Sequence, residues 1–567
     1  MPSPRASASP LILGAALAAL ATAASAVGAP SEDDATVERD AREVYDRVVA
    51  VLPPGRPAPA FSLSRAPMPA GLRVAAYQPD QNLIILDRKA YDVCARIAPH
   101  EASVRQGALA LILGHELAHF VRGEGWDSGF LDHGASPPAA GAARADEEFA
   151  DYEGGMYAYI AGYEPFAVVP RLVDDLYADL GLPPGKTDAG PLKRARLLVI
   201  DYARRRIQEI APWLSAAKLL MVAGRPLDAA RLFDHVAAQL PSREILVDAG
   251  VAWAEAGVAA MRRAPALRAP LELAWDERAM PRPPATRGPA GPTVDARVLL
   301  ERARQLFSEL DATAGGDLRA EIDLACVYAL LGEADLAEAF ATRALARAQR
   351  EHDEASAGHA LVARAFAEAQ RATAGKAAAR RDLEAAARLG SALAALDLRL
   401  LDGARARSPG APGCVPGSAP DEEPTTSPAH PGGVRATTAR LVLAAGHSCR
   451  ADGVACPRVE LAVETDEAEH MEHLRVDVDG RTVLSASSTG ATFSGASSRG
   501  VRRGSPTSAL APYGCPTRVL ARTGGEVRVH QARAGGEPAL VEFDVTLGGQ
   551  GAVVGWSVIR VPDLERR

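Results

Sequence analysis

The chain has 567 residues, of which 48% are hydrophobic and 24% charged, and 71 acidic against 63 basic residues give a formal net charge of −8. That length exceeds what one hydrophobic core organises and predicts about three to four domains. The acid excess and the lack of any Lys/Arg block exclude nucleic acid as an expected partner. Residues 1–26 read as a secretory signal peptide, with Arg5 in a short n-region, Leu11 to Ala23 as apolar core and Ala24-Ser25-Ala26 as a small-residue cleavage site. An uncleaved anchor is the alternative, because Leu11 to Ala29 is nearly long enough to span a bilayer. Cleavage near Ala26 removes one charge, Arg5, and leaves Val27 first with a net −9. The mature chain is then expected to be periplasmic or secreted, with no integral membrane span.

Residues 27–211 are predicted to form a mainly helical core with a small sheet. Val37 to Leu52 has the spacing of an amphipathic helix. Leu72 to Tyr77 and Asn82 to Asp87, joined by Gln78-Pro79-Asp80-Gln81, read as a β-hairpin. Next comes an apolar run, Gly107 to Gly114, leading into His115-Glu116-Leu117-Ala118-His119. On a helix, residues four apart share a face, so His115 and His119 can present two imidazoles to one metal ion while Glu116 handles a water proton. A catalytic site wants a third protein ligand and one open position. The H-E-x-x-H-x-x-G-x-x-H solution is absent, since Arg122 and Gly125 stand where Gly and the third His would be. A second predicted helix, Ala143 to Ile160, supplies carboxylates: Glu147 is a candidate third ligand, and Asp151, one turn on, can accept from the far nitrogen of a ligand His. Glu148 is the competing neighbour, but one helical step turns a side chain by about 100°, and only Glu147 is in register with Asp151.

H-E-x-x-H followed by E-x-x-A-D resembles the HtpX and CAAX-prenyl-protease type of zinc metallopeptidase, a gluzincin family, over about residues 35 to 165. The resemblance implies one Zn²⁺ per chain held by His115, His119 and Glu147, Glu116 as general base, and Asp151 orienting a ligand histidine. No long apolar spans flank the motifs, so it points to a soluble branch. In sites of this type a strand beside the metal helix often binds the substrate backbone; Leu83 to Leu86 is the candidate, with an ordinary buried strand as the alternative. Glu124 to Gly141, with Trp126, Phe130 and His133, is long and Gly-rich enough to form a lid. His133 is a candidate for steadying an oxyanion, against the plainer reading of an exposed loop histidine.

Residues 212–402 read as helical repeats. Trp213, Ala216, Ala217, Leu220, Gly224, Ala229, Phe233, Val236 and Pro241 follow tetratricopeptide spacing, and Leu324, Ala325, Tyr328, Gly332, Ala337, Ala341 and Ala344 repeat it. Such an array is expected to offer polypeptides a concave surface, or else to be a plain helical scaffold. The Pro-rich stretch Ala264 to Thr293 interrupts it as a folded-back loop. Residues 403–436 read as a linker, and 437–567 alternate with period two, suggesting an antiparallel β-domain such as a sandwich. Cys449 with Cys456 and Cys414 with Cys515 are candidate disulfides; Cys94 and Cys326 lie in apolar helical stretches as buried thiols. The expected activity is a zinc-dependent endopeptidase acting on polypeptides in the cell envelope. The alternative is an inactive zinc fold whose repeats serve as chaperone or scaffold.

Overall fold

The structure is a computed structural model, and its described residues are 32–55, 57–65, 74–97, 102–123, 128–129, 140–163, 165–179, 189–262, 265–274, 295–313, 316–371, 373–402, 436–443, 459–466, 471–478, 481–489, 501–502, 504–513, 518–522, 525–534, 537–546 and 552–560. The expected signal peptide, both expected disulfides and the expected lid, apart from residues 128–129 and 140–141, lie outside them. Among the described residues the fold is mostly helical with two sheets, and no helix is long and apolar enough to cross a membrane.

The N-terminal elements are α1 (Glu32–Val51), β1 (Ala60–Ser64), β2 (Ala75–Gln78), β3 (Leu83–Asp87), α2 (Arg88–Ile97), α3 (Ala102–Arg122), β4 (Ser128–Gly129), α4 (Ala140–Ile160), α5 (Val169–Asp179) and α6 (Ala189–Val222). Helix α3 is their axis. From Ala108 to Phe120 the residues whose side chains carry the apolar run are buried on all sides, packed by α1, α2, α4 and β2. A helix apolar around its whole circumference has no solvent face to offer, so its few polar groups must be satisfied inside.

β2 and β3 pair antiparallel, Ala75 opposite Leu86 and Gln78 opposite Leu83, around a short 3-10 turn at Pro79–Gln81. Asn82 closes that turn at φ 47°, a conformation Asn tolerates because its short amide bonds locally. The sheet order β1-β3-β2-β4 decides between the two readings of Leu83 to Leu86 in favour of a buried strand. β1 runs parallel along one edge of β3 and β2 covers the other, so Leu83 to Leu86 has no free edge for a substrate backbone. It is an interior strand, and the strand nearest the α3 motif is β2.

Helices α7 (Pro226–Ala237), α8 (Arg243–Ala260), α9 (Ala296–Asp311), α10 (Leu318–Leu331), α11 (Ala334–Glu351), α12 (Glu354–Ala369), α13 (Thr373–Arg388) and α14 (Ala392–Leu401) pack in succession, each against the next. Beyond neighbours, α8 touches α10 and α10 touches α12, so alternate helices form an inner row. Local chemistry sets their starts: Ser242, Asp317, Asp353 and Ser391 each cap an inner-row helix by accepting a backbone N–H of its first turn. Gly332 ends α10 at φ 87°, which a residue with a Cβ adopts only at a cost, so the tight return into α11 needs glycine there. The expected boundary at 211/212 falls inside α6, a continuous 34-residue helix that contains Pro212. One end of α6 therefore belongs to the α3–α4 unit and the other packs on α7.

The C-terminal strands are β5 (Ala436–Leu443), β6 (Val459–Asp466), β7 (Met471–Val478), β8 (Arg481–Thr489), β9 (Arg518–Arg522), β10 (Gly525–Ala534), β11 (Glu537–Thr546) and β12 (Val553–Arg560). They bond in the order β5-β6-β7-β8-β12-β11-β10-β9. Two four-stranded meanders are thus joined antiparallel through β8 and β12 into one hydrogen-bonded sheet, where the alternation had suggested a sandwich of two. Leu461, Leu474, Val476 and Leu484 share one apolar core with the helical array. Glu526 of β10, fully buried, accepts from Ser391 Oγ at 3.2 Å and lies 3.4 Å from Leu393 N at the start of α14. Cys94 and Cys326 are buried thiols, and burial pushes the Cys94 thiol up to about 12.

Candidate metal centre

Two glycines let α3 and α4 cross closely enough to share a site. A Cβ built on Gly114 would stand 2.5 Å from the Gly154 carbonyl oxygen, and one on Gly154 would stand 2.6 Å from His115 Cα. Glycine inside a helix costs roughly 1 kcal/mol relative to alanine, a cost that this contact between backbones explains. On α4, Glu147, Asp151 and Gly154 are spaced four and three apart and so share the face turned to α3.

The crossing brings the predicted residues together. His115 Nε2 lies 3.1 Å from His119 Nε2 and 3.3 Å from Glu147 Oε2, and His119 Nε2 lies 3.5 Å from Glu147 Oε1. Ligand atoms of these three residues all lie within 4.8 Å of one another, and Glu148 is not among them. A tetrahedral ion with bonds of about 2.0–2.1 Å holds its ligand atoms about 3.3 Å apart, so this donor set fits one without rearrangement. Glu147 Oε2 is buried and makes no hydrogen bond, an acceptor left for a cation.

Behind the donors lies a buried ion-pair network. His115 Nδ1 is 2.9 Å from Asp151 Oδ1, and Arg196 grips the same carboxylate through Nε at 2.9 Å and Nη2 at 2.5 Å. An ionised carboxylate can only accept, so Arg196 and His115 Nδ1–H both donate to Asp151. That fixes the His115 tautomer and leaves the Nε2 lone pair facing Glu147 and His119. Burial by itself would raise Asp151, but Arg196 and His115 hold it below the usual carboxylate range. Burial would lower His115, yet Asp151 and Glu147 carry it up to about 9.

Glu116 is fully buried beside the imidazoles. Its Oε2 accepts the Tyr77 backbone N–H of β2 at 2.9 Å, while its Oε1 has no hydrogen-bond partner. Burial drives the carboxyl up, the two histidines pull it back, and it settles at about 7, where a carboxylate can both take and return a proton.

Three contributors escaped the sequence reading. Arg196 sits on α6, 45 residues beyond Asp151, with no local pattern to mark it; the available signal was chemical, since a buried Asp bonded to a ligand His needs a cation. Tyr77 acts through its backbone, which leaves no trace in residue type. The Gly114–Gly154 crossing could have been suspected from glycines inside two helical patterns. His133 lies outside the described residues. Compared with protein-family models and with curated proteins, the chain matches none.

Proposed function

We propose that this chain is a zinc-dependent metallopeptidase of the gluzincin type, with His115, His119 and Glu147 as ligands and Glu116 as general base. The observation that carries the reading is the conjunction of three donors at tetrahedral spacing with a buried carboxylate whose second oxygen is uncommitted. Such an arrangement exceeds what a structural ion needs, because a structural site would close with a fourth protein ligand. When bound, the ion would supply Lewis acidity toward water and a peptide carbonyl. Glu116 would take the proton of the attacking water at Oε1 and return it to the leaving amine, with Oε2 anchored by Tyr77. Asp151, held by Arg196, would orient His115 and fix its tautomer once the ion is in place.

In this reading the helices from α6 to α14 are tetratricopeptide-like repeats that present polypeptides to the protease, and the mature chain works in the periplasm or outside the cell. The test is a pair of variants. Wild type is expected to carry about one zinc per chain, the stoichiometry of a single catalytic site, and Glu147→Ala to lose most of it. Glu116→Gln should keep its zinc while hydrolysis of an unfolded polypeptide falls at least a thousandfold, on the order of what general-base and electrostatic terms together supply. A folded, metal-replete wild type without zinc would sink the enzyme reading.

A further inference from the structure

Between α8 and α9 the array is interrupted, and residues 265–274 run as a non-helical strap against the inner-row helices. Pro265 and Pro270 keep it from joining them as a helix. Leu267, Leu271, Leu273 and Ala274 are each at most 4% exposed and belong to the common apolar core.

How the strap is held is repetitive. Ala274 N donates to Asp248 Oδ1 at 2.9 Å, Glu272 N to Asp323 Oδ1 at 2.6 Å, and Arg268 N to Asp397 Oδ1 at 3.0 Å. His359 Nδ1 stands 3.3 Å from Glu272 Oε2. Asp248, Asp323, His359 and Asp397 come from α8, α10, α12 and α14, and each stands five residues after its helix begins, at 243, 318, 354 and 392. The four polar groups are therefore one position of the repeat, stacked into a ladder along the inner row. Amides 272 and 274, two apart, point the same way, as they do in an extended chain. A ladder that reads backbone N–H groups is indifferent to most side chains of what it holds, as in recognition of an added strand. Burying three acidic groups in one row is costly unless a donor meets each of them, and here the strap's amides do.

We propose that the inner groove of the repeats is a binding site for an extended polypeptide segment, read at its amides by Asp248, Asp323 and Asp397, with apolar residues flanking an acidic one that meets His359, and that residues 265–274 are a built-in occupant which such a segment of a partner displaces. The proposal rests on the reading of the repeats as a polypeptide-binding surface and is independent of the metal site.

The test uses the full chain with residues 265–274 replaced by a Gly/Ser segment of equal length, and a fluorescein-labelled decapeptide Pro-Ala-Leu-Arg-Ala-Pro-Leu-Glu-Leu-Ala as probe. Anisotropy should show the peptide binding this variant at least about tenfold tighter than wild type, and Asp323→Ala in the same background should weaken it about tenfold, one buried hydrogen bond's worth. A folded strap-replaced variant that ignores the decapeptide but binds a reduced, alkylated unfolded protein overturns the strap proposal and leaves the repeats as a binding surface. If it binds neither, both readings fall. Should the variant not fold, hydrogen exchange on the wild-type chain decides: amides 268, 272 and 274 are expected to exchange at least about 100-fold faster than those of α10, because a displaceable occupant opens locally. Protection equal to α10 would make the strap a fixed part of the core and end the proposal.

Discussion

Two clusters of buried acidic side chains in this protein are satisfied by opposite means. At the α3–α4 crossing the acids meet cations: Asp151 is gripped by Arg196 and His115, and Glu147 faces two imidazoles. Along the inner row of repeats, Asp248, Asp323 and Asp397 meet uncharged backbone amides instead. The first arrangement leaves nitrogen and oxygen lone pairs converging on one point, which suits an ion. The second sets a line of acceptors along the inner row against the backbone of residues 265–274. A buried charge is thus informative through its partner more than through its burial, because the partner says what the charge is there to hold.

The candidate metal centre is most vulnerable at the helix crossing itself. Gly154→Ala puts a Cβ against backbone that cannot give way, and stability should drop by about 3 kcal/mol or more, with metal binding lost. Calorimetric melting and metal analysis together check this; an unchanged melting temperature would mean the helices can separate without harm. A smaller effect tests the cation behind the site. Arg196→Met should preserve the fold yet weaken metal affinity about 10–100-fold, since Asp151 loses the partner that orients it toward His115. Competition against a chromophoric chelator measures it, and wild-type affinity in the variant would reduce Arg196 to packing.

Smallest is a test on the groove side. Burial pushes Asp397 up to about 7, with the Arg268 amide and charge pulling against it. A folded-state pKa above the unfolded value near 3.8 means this group favours folding most at acid pH, and that contribution drains away as pH rises from about 4 through 7. Asp397→Asn keeps an acceptor for Arg268 N and removes the titration. Denaturant melts should show it level with wild type near pH 4 and about 1–2 kcal/mol more stable near pH 8, the order expected for a discounted shift of this size. A difference independent of pH would place the carboxyl in solvent contact.

Much of the candidate site was legible along the chain because helices make sequence spacing into geometry. His115 and His119 four apart, and Glu147 and Asp151 four apart, needed only the helical period to share faces. The capped starts of the inner-row helices and the hairpin turn at Pro79–Gln81 are likewise local chemistry. Legibility stopped where a decision depended on what lies opposite. Leu83 to Leu86 has strand composition whether it is an edge or an interior strand, and only β1 on its far side settles that it is interior. Nothing near residue 212 says that α6 runs through it, because Pro212 marks a helix break in most settings and is tolerated here.

The helices and the residues that share each of their faces follow from the chain's local order, since hydrophobic period, caps and turn residues act over a few neighbours. The tertiary structure alone decided which faces meet. It chose the glycine crossing that seats Glu147 over the two histidines, brought Arg196 from α6 behind Asp151, and laid residues 265–274 across aspartates drawn from three separate helices. Those choices belong to packing and to the pairing of buried charge, which depend on partners far away in the chain and carry no local period to read.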